Sequence, residues 1–455
     1  MQSSAKINVS DIIDNSRIGT FQIGLFILCG LCLIMDGFDV QAIGFVAPAL
    51  SKDWKITGAV LGSVLSAALV GVLFGSIFLS MLADKIGRRP VLIGACLFFS
   101  AVTLATSLVQ TVPQLLMIRF IAGVGLGSIM PNAMALVGEY SPQRLRVPMM
   151  VVVGTGFTAG AVIGGIVAFW LVPNFGWRSV FVFGGAVPLL IGLLMFFLLP
   201  ESLQYLALHG KDPERLGRWL HRVNPDVTIS RNTQFIVREQ RQKGVPMIKL
   251  FQQGRAAGTI LLWTVYFMNL LNLYFLSSWL PTVLTPLVKA ARVPDSYALL
   301  FGSTLQMGGV IGAIALGWLV ARFGFVPVLA TAFLFASANI ALIGQPGFSL
   351  GLVFVVVFVA GFGVVGGQST VNALAATLYP TDLRSTGIGA GLGIGRIGSI
   401  VGPQVAGLLI GTWTTNQLFL GAAVPALIAS VAMVAMRWVI KPHRTANAQS
   451  EVMVH

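Results

Sequence analysis

The chain has 455 residues, 56% of them hydrophobic and only 10% charged, with a mean hydropathy of +0.87. That balance excludes an ordinary soluble fold and indicates a polytopic membrane protein. The net charge of +14 does not indicate a nucleic-acid partner, because the basic residues lie between apolar runs instead of forming one basic face on a soluble domain.

Apolar runs of about 20 residues, the length needed to cross a bilayer, fall near 21–48, 57–82, 90–109, 114–138, 148–172 and 178–199. They resume near 257–281, 296–320, 327–344, 348–378, 386–411 and 418–439. The expected architecture is therefore all-α: a tail over 1–20, a six-helix bundle over 21–199, a hydrophilic loop over 200–256, a second bundle over 257–439 and a tail over 440–455. The first twenty residues lack the pattern of a cleaved leader. If both termini share one side, that side carries 22 of the 29 Lys and Arg residues and the opposite side 5. The positive-inside rule then places the termini and the central loop in the cytoplasm.

Span 1 contains the first anomaly. Asp36 and Asp39 sit within the apolar run from Leu33 to Leu50, and a charge at the centre of a membrane helix costs roughly 2.5–3.5 kcal/mol on insertion scales. At a spacing of three they are neighbours on the helix. Two carboxylates held together away from water titrate as a unit, and they are the candidate site for a coupling proton. Cys29, Cys32 and Cys96 lie in apolar runs and read as packing residues, since a redox or zinc role needs a different context. The four histidines lie in polar segments, leaving none within a span.

Further along, Ser80 to Arg89 reads SMLADKIGRR between spans 2 and 3, and Arg119 enters span 4. Glu139 lies at the inner end of span 4, with Arg146 beyond it. Gly156 to Gly165 reads GFTAGAVIGG, and Pro200, Glu201 and Ser202 end span 6. In the second half, Asn269, Asn272, Gln306, Gln368 and Asn372 lie within spans beside Tyr266, Phe267, Tyr274 and Trp279. Aromatic faces with a few amides suit a flat ring bearing a hydroxyl or carboxylate. Span 11 carries Arg396, whose guanidinium fork can grip a carboxylate by two hydrogen bonds. The glycines from Gly387 to Gly395 follow no strand, so they read as close helix packing and not as a dinucleotide loop.

The halves repeat, a mark of transporter architecture. FIAGVG at Phe120 to Gly125 matches FVAGFG at Phe358 to Gly363 at an offset of 238, which also maps Arg146 onto Arg384. An offset of 233 sets Asp36, Asp39 and Pro48 against Asn269, Asn272 and Pro281. Both carboxylates thus have amide counterparts.

These features resemble the major facilitator superfamily. Asp84, Gly87, Arg88 and Arg89 match its loop between spans 2 and 3, and GWLVARFG at Gly317 to Gly324 is similar to the second copy, with Ala321 replacing the usual aspartate. Arg119, Gly123, Gly125 and Gly127 resemble its fourth-span motif. Within it, Asp36 to Asp39 resembles the DGxD signature of the aromatic acid:proton symporters, as do Gly138 to Arg146, Gly366 to Ser369, Tyr379 to Arg384 and Gly393 to Gly398. The resemblance implies a twelve-helix fold in the bacterial inner membrane that imports a small aromatic carboxylate, such as 4-hydroxybenzoate or benzoate, with a proton and no other cofactor.

On that reading Asp36, Asp39 and Arg119 couple the proton. Arg396, Gln368, Tyr274 and Asn272 contact the substrate, although the two arginines could exchange roles. Asp84, Gly87, Arg88, Arg89, Glu139, Arg146 and Arg384 form a gating latch of ion pairs remade between two states. A monomer is the expected unit. Two alternatives are a drug or metabolite antiporter, whose fifth-span motif GFTAGAVIGG resembles except for Ala161 in place of proline, and a ligand sensor without flux. No nucleophile-base set, metal cluster or cofactor loop points to an enzyme.

Overall fold

A computed structural model describes residues 6–209, 213–224, 234–236, 247–380 and 383–439. The tail expected over 440–455, parts of the central loop, and Thr381 and Asp382 of the YPTDLR motif lie outside the described residues. Among the described residues, twelve helices are long and apolar enough to cross a membrane. Spans 1 to 6 are Thr20–Trp54, Gly58–Ile86, Arg88–Thr106, Val112–Tyr140, Gln143–Phe175 and Arg178–Leu198. Spans 7 to 12 are Ala256–Ala290, Tyr297–Phe323, Phe325–Ile343, Leu350–Leu378, Arg384–Leu409 and Thr415–Val439.

Several helices outrun their apolar runs. Span 1 continues past Pro48 to Trp54, and span 7 past Pro281 to Ala290, because a helix satisfies its own backbone while its end projects beyond the hydrocarbon. The central loop also contains two helices, Leu203–His209 and Pro213–Val223. The second buries Leu216, Leu220 and Val223, and its Trp219 stacks on Phe21 at the start of span 1. A short parallel pairing joins Lys6–Asn8 to Gln234–Ile236.

Small residues bring the helices together within each bundle, and they do so twice. A methyl group on Gly71 of span 2 would collide with the carbonyl of Phe120 on span 4, and one on Gly308 of span 8 with the carbonyl of Phe358 on span 10. Phe120 and Phe358 are the repeat mates at offset 238. Apolar side chains gain nothing by leaving lipid for one another, so close backbone approach supplies the packing energy. The tight turns repeat as well, with Gly87 at φ +105° before span 3 and Gly324 at φ +82° before span 9, a region in which glycine is unstrained.

Among the described residues the glycine contacts and hydrogen bonds between the bundles cluster at one end. Gly44 of span 1 packs on the backbone of Ser277 and Ser278 of span 7, Gly62 of span 2 on Pro403 and Gly407 of span 11, and Gly165 of span 5 on Ser303 of span 8. Three hydrogen bonds join spans of different bundles among the described residues, and all lie in this layer: Ser66 Oγ to the Ile400 carbonyl at 2.9 Å, Gln404 Nε2 to Ser63 Oγ at 3.2 Å and Ser303 Oγ to the Val162 carbonyl at 2.8 Å. Toward the side that carries the central loop, the bundles leave a cleft.

Candidate functional site

Asp36 and Asp39 are both buried on span 1, yet they serve different sides of it. Asp39 points into its own bundle. Arg119 Nη2 donates to Asp39 Oδ2 at 3.0 Å and to the Asp39 carbonyl at 3.1 Å, while Nη1 reaches Oδ1 at 3.3 Å. Thr103 of span 3 donates to the same Oδ1 at 2.9 Å, and the Phe181 ring of span 6 lies 5.5 Å from the guanidinium carbon. Neither charged side chain has any exposure. Spans 3, 4 and 6 enclose the pair through Thr103, Arg119 and Phe181, while Gly37 and Gly160 let span 1 approach span 5 backbone to backbone.

Asp36 lies three residues earlier and faces the other bundle. It makes no hydrogen bond among the described residues, and Arg396 of span 11 and Asp39 lie within electrostatic range. Tyr274 of span 7 is in range of both Asp36 and Arg396. Arg396 is half-buried despite its mid-span position, and its guanidinium donates no hydrogen bond among the described residues. One carboxylate, one phenol and one free guanidinium therefore converge on the cleft from spans 1, 7 and 11.

A chain of amides lines spans 7 and 10. Asn269 donates to Gln368 Oε1 at 2.8 Å, Gln368 donates to Asn372 Oδ1 at 3.3 Å, and Tyr266 donates to the same oxygen at 2.9 Å. Gln368 is half-buried, with its amide already engaged at both ends.

Asn272 departs from the expected substrate contact. It is 1% exposed with both amide atoms unpartnered, and its helical phase relative to Ser277 and Ser278 turns it away from span 1 and into the second bundle. It occupies the position that Asp39 occupies in the first half, without an arginine opposite: the repeat mate of Arg119 is Val357.

The gating cluster also differs from expectation. Arg88 is ion-paired with Glu139, which accepts from Ser202 Oγ at 2.7 Å. The Arg89 backbone N–H donates to Glu201 Oε1 at 3.0 Å and its guanidinium to the Phe196 carbonyl at 2.6 Å. Gly87 is required here, since a side chain at its positive φ would strike the Glu201 carboxylate. These bonds tie spans 3, 4 and 6 together. Asp84 is not part of them: it is exposed, as is Arg384, and neither has a partner among the described residues, while Arg146 is half-buried with its Nε unpartnered. Among the described residues no ion pair joins the two bundles, so the expected latch is not made in this state.

The architecture and these motifs agree with the relatives of the chain. The family model for the Major Facilitator Superfamily matches residues 29–403 and 262–453. The chain belongs to the major facilitator superfamily. It is 37% identical to the 4-hydroxybenzoate transporter PcaK of Pseudomonas aeruginosa over 94% of this chain and 95% of that one. It is 36% identical to the gallate transporter of Pseudomonas putida over 95% of each. Among solved structures, a bacterial homologue of the lysosomal transporter Spinster aligns with a TM-score of 0.72 at 17% identity, over 93% of this chain and 98% of that one. Membership makes the chain a transporter and a multi-pass integral membrane protein, not an enzyme.

One buried polar residue escaped the sequence reading. Gln41 is 3% exposed with no hydrogen-bond partner among the described residues. The signal was present in the repeat, because the offset that pairs Asp39 with Asn272 also pairs Gln41 with Tyr274.

Proposed function

We propose that the chain takes up a small aromatic carboxylate, such as 4-hydroxybenzoate or benzoate, together with a proton, by alternating access as a monomer in the bacterial inner membrane. The relatives named for 4-hydroxybenzoate and gallate support the substrate class. The observation that carries the reading is the unengaged Arg396 guanidinium facing Asp36 and Tyr274 in a cleft closed at its far end.

Those three groups suffice for coupling. An ionised Asp36 competes with an incoming carboxylate for Arg396, because one guanidinium gains most from a single bidentate partner. A proton on Asp36 removes that competitor and leaves Arg396 to the substrate. Proton and substrate then bind as a neutral set, whereas substrate without the proton would leave an unpaired charge to be enclosed; the empty carrier stays neutral through ionised Asp36 and Arg396. On this scheme Asp39 and Arg119 fix the position of span 1 from inside the bundle.

Closing the cleft requires the bundles to rock about the Gly44, Gly62 and Gly165 contacts, bringing Asp84 toward the start of span 11 at Arg384. The excess of Lys and Arg on the cleft side supports a cytoplasmic position for that side and for the termini. The test is uptake by purified protein in liposomes, with and without an inward proton gradient, against benzoate, 4-hydroxybenzoate, gallate and an aliphatic acid of similar size. Gradient-driven accumulation of the aromatic acids alone is expected. Equal transport of the aliphatic acid, or accumulation that ignores the gradient, would contradict the reading.

A further inference from the structure

The second copy of the loop motif, Gly317 to Gly324, takes no part in the cleft or the ion pairs of the first half. With the turns at Gly87 and Gly324 in register, an offset of 237, Asp84 maps onto Ala321, Arg88 onto Phe325 and Arg89 onto Val326, while Lys85 maps onto Arg322. Glu139, the partner of Arg88, maps onto Thr377 at offset 238. One cation therefore remains in a turn that lacks the surrounding charges. Between Ala256 and Val439 the only acidic residues are Asp295 and Asp382, and Asp295 lies at the opposite end of the bundle beside Lys289. Arg322 is exposed and has no carboxylate partner among the described residues.

Beside this turn lies an apolar cavity of about 510 Å³ between spans 8, 9 and 10. Leu319 and Phe323 of span 8, Pro327 and Phe335 of span 9 and Phe362 of span 10 line it. Phe323 and Phe335 are more than half exposed, so the cavity opens away from the bundle, toward lipid. The Arg322 guanidinium carbon lies 5.5 Å from the centre of the Phe323 ring and 6.0 Å from that of Trp318. A free cation thus stands at the mouth of an apolar groove. Trp318 beside it is exposed, as aromatic residues at headgroup level are.

We propose that the groove and Arg322 form a binding site for an anionic phospholipid, with an acyl chain between spans 8, 9 and 10 and the headgroup phosphate on Arg322. A guanidinium holds a phosphate by paired, charge-assisted hydrogen bonds. The turn of the first half is built differently: Asp84 is exposed there and repels a phosphate, Arg88 is paired with Glu139, and the Arg89 guanidinium bonds the Phe196 carbonyl. The site is independent of which substrate crosses the cleft.

Photo-crosslinking of the full-length protein in liposomes tests the assignment, with phosphatidylglycerol or phosphatidylcholine carrying a diazirine in one acyl chain. At equal lipid content, the groove-lining peptides of spans 8, 9 and 10 should take up the phosphatidylglycerol label about fivefold more than the phosphatidylcholine label. Arg322→Gln should bring that ratio near one, and Arg322→Lys, which keeps the charge, should retain part of it. Two wild-type results, neither needing a variant to fold, overturn the inference. One is the absence of label from these peptides, as when a second copy of the chain covers the groove. The other is equal labelling by the two lipids, which means that bulk lipid enters without regard to charge. A preference that Arg322→Gln leaves unchanged overturns it as well.

Discussion

The Arg119 guanidinium grips Asp39 with both terminal nitrogens, 3.0 Å from Oδ2 and 3.3 Å from Oδ1, and neither side chain is exposed. Removing one partner leaves a charge sealed in a dry bundle, which costs about 3–5 kcal/mol. Asp39→Asn and Arg119→Leu should each lower thermal stability in detergent sharply. The double substitution should lie well above the additive sum, since it removes both charges. Additive losses would show that the pair is not coupled.

Arg396 presents the opposite case, a guanidinium with no partner in this state. Arg396→Gln should weaken aromatic acid binding by about 2–5 kcal/mol, or roughly 30-fold to several-thousand-fold. Arg396→Lys should fall between, because an ammonium keeps the charge and loses the fork. Wild-type affinity in Arg396→Gln would remove the arginine from the substrate site.

Asp84 tests the latch. It is exposed and unpaired with the cleft open, so Asp84→Lys should leave substrate affinity close to wild type. Uptake should fall roughly tenfold through a loss on the order of 1.4 kcal/mol of bias between the two states. Parallel binding and flux measurements decide it; wild-type flux would leave Asp84 without a role in gating.

The glycine contacts make a packing prediction. Gly71→Leu places a side chain against the Phe120 carbonyl and should cost at least about 1–3 kcal/mol, seen as loss of folded protein. Gly94→Ala meets no atom within 4 Å and should stay within about 0.5 kcal/mol of wild type. Yield and melting temperature of the two variants provide the comparison.

Much of this was legible in the chain. The twelve spans follow from apolar length alone, and the pairing of Asp39 with Arg119 follows from two opposite charges at compatible depths in spans 1 and 4. The divergence of Asp36 from Asp39 was not legible. A spacing of three makes them neighbours on the helix, and only the tertiary placement of Thr103 and Arg119 decides which one is paired. Arg88 chose Glu139 over nearby Asp84 for a similar reason: the turn at Gly87 directs it toward span 4, a tertiary choice that local spacing does not encode. Asn272 lies beside the aromatics of span 7 in the sequence, but its direction is set by helical phase against Ser277 and Ser278, and like its repeat counterpart Asp39 it turns into its own bundle.

In the proposed scheme the coupling proton sits on Asp36. Asp36→Asn mimics the protonated carboxylate, so in liposomes it should still exchange labelled 4-hydroxybenzoate in counterflow while failing to accumulate it under a proton gradient. Gradient-driven accumulation by Asp36→Asn at the wild-type level would contradict the account.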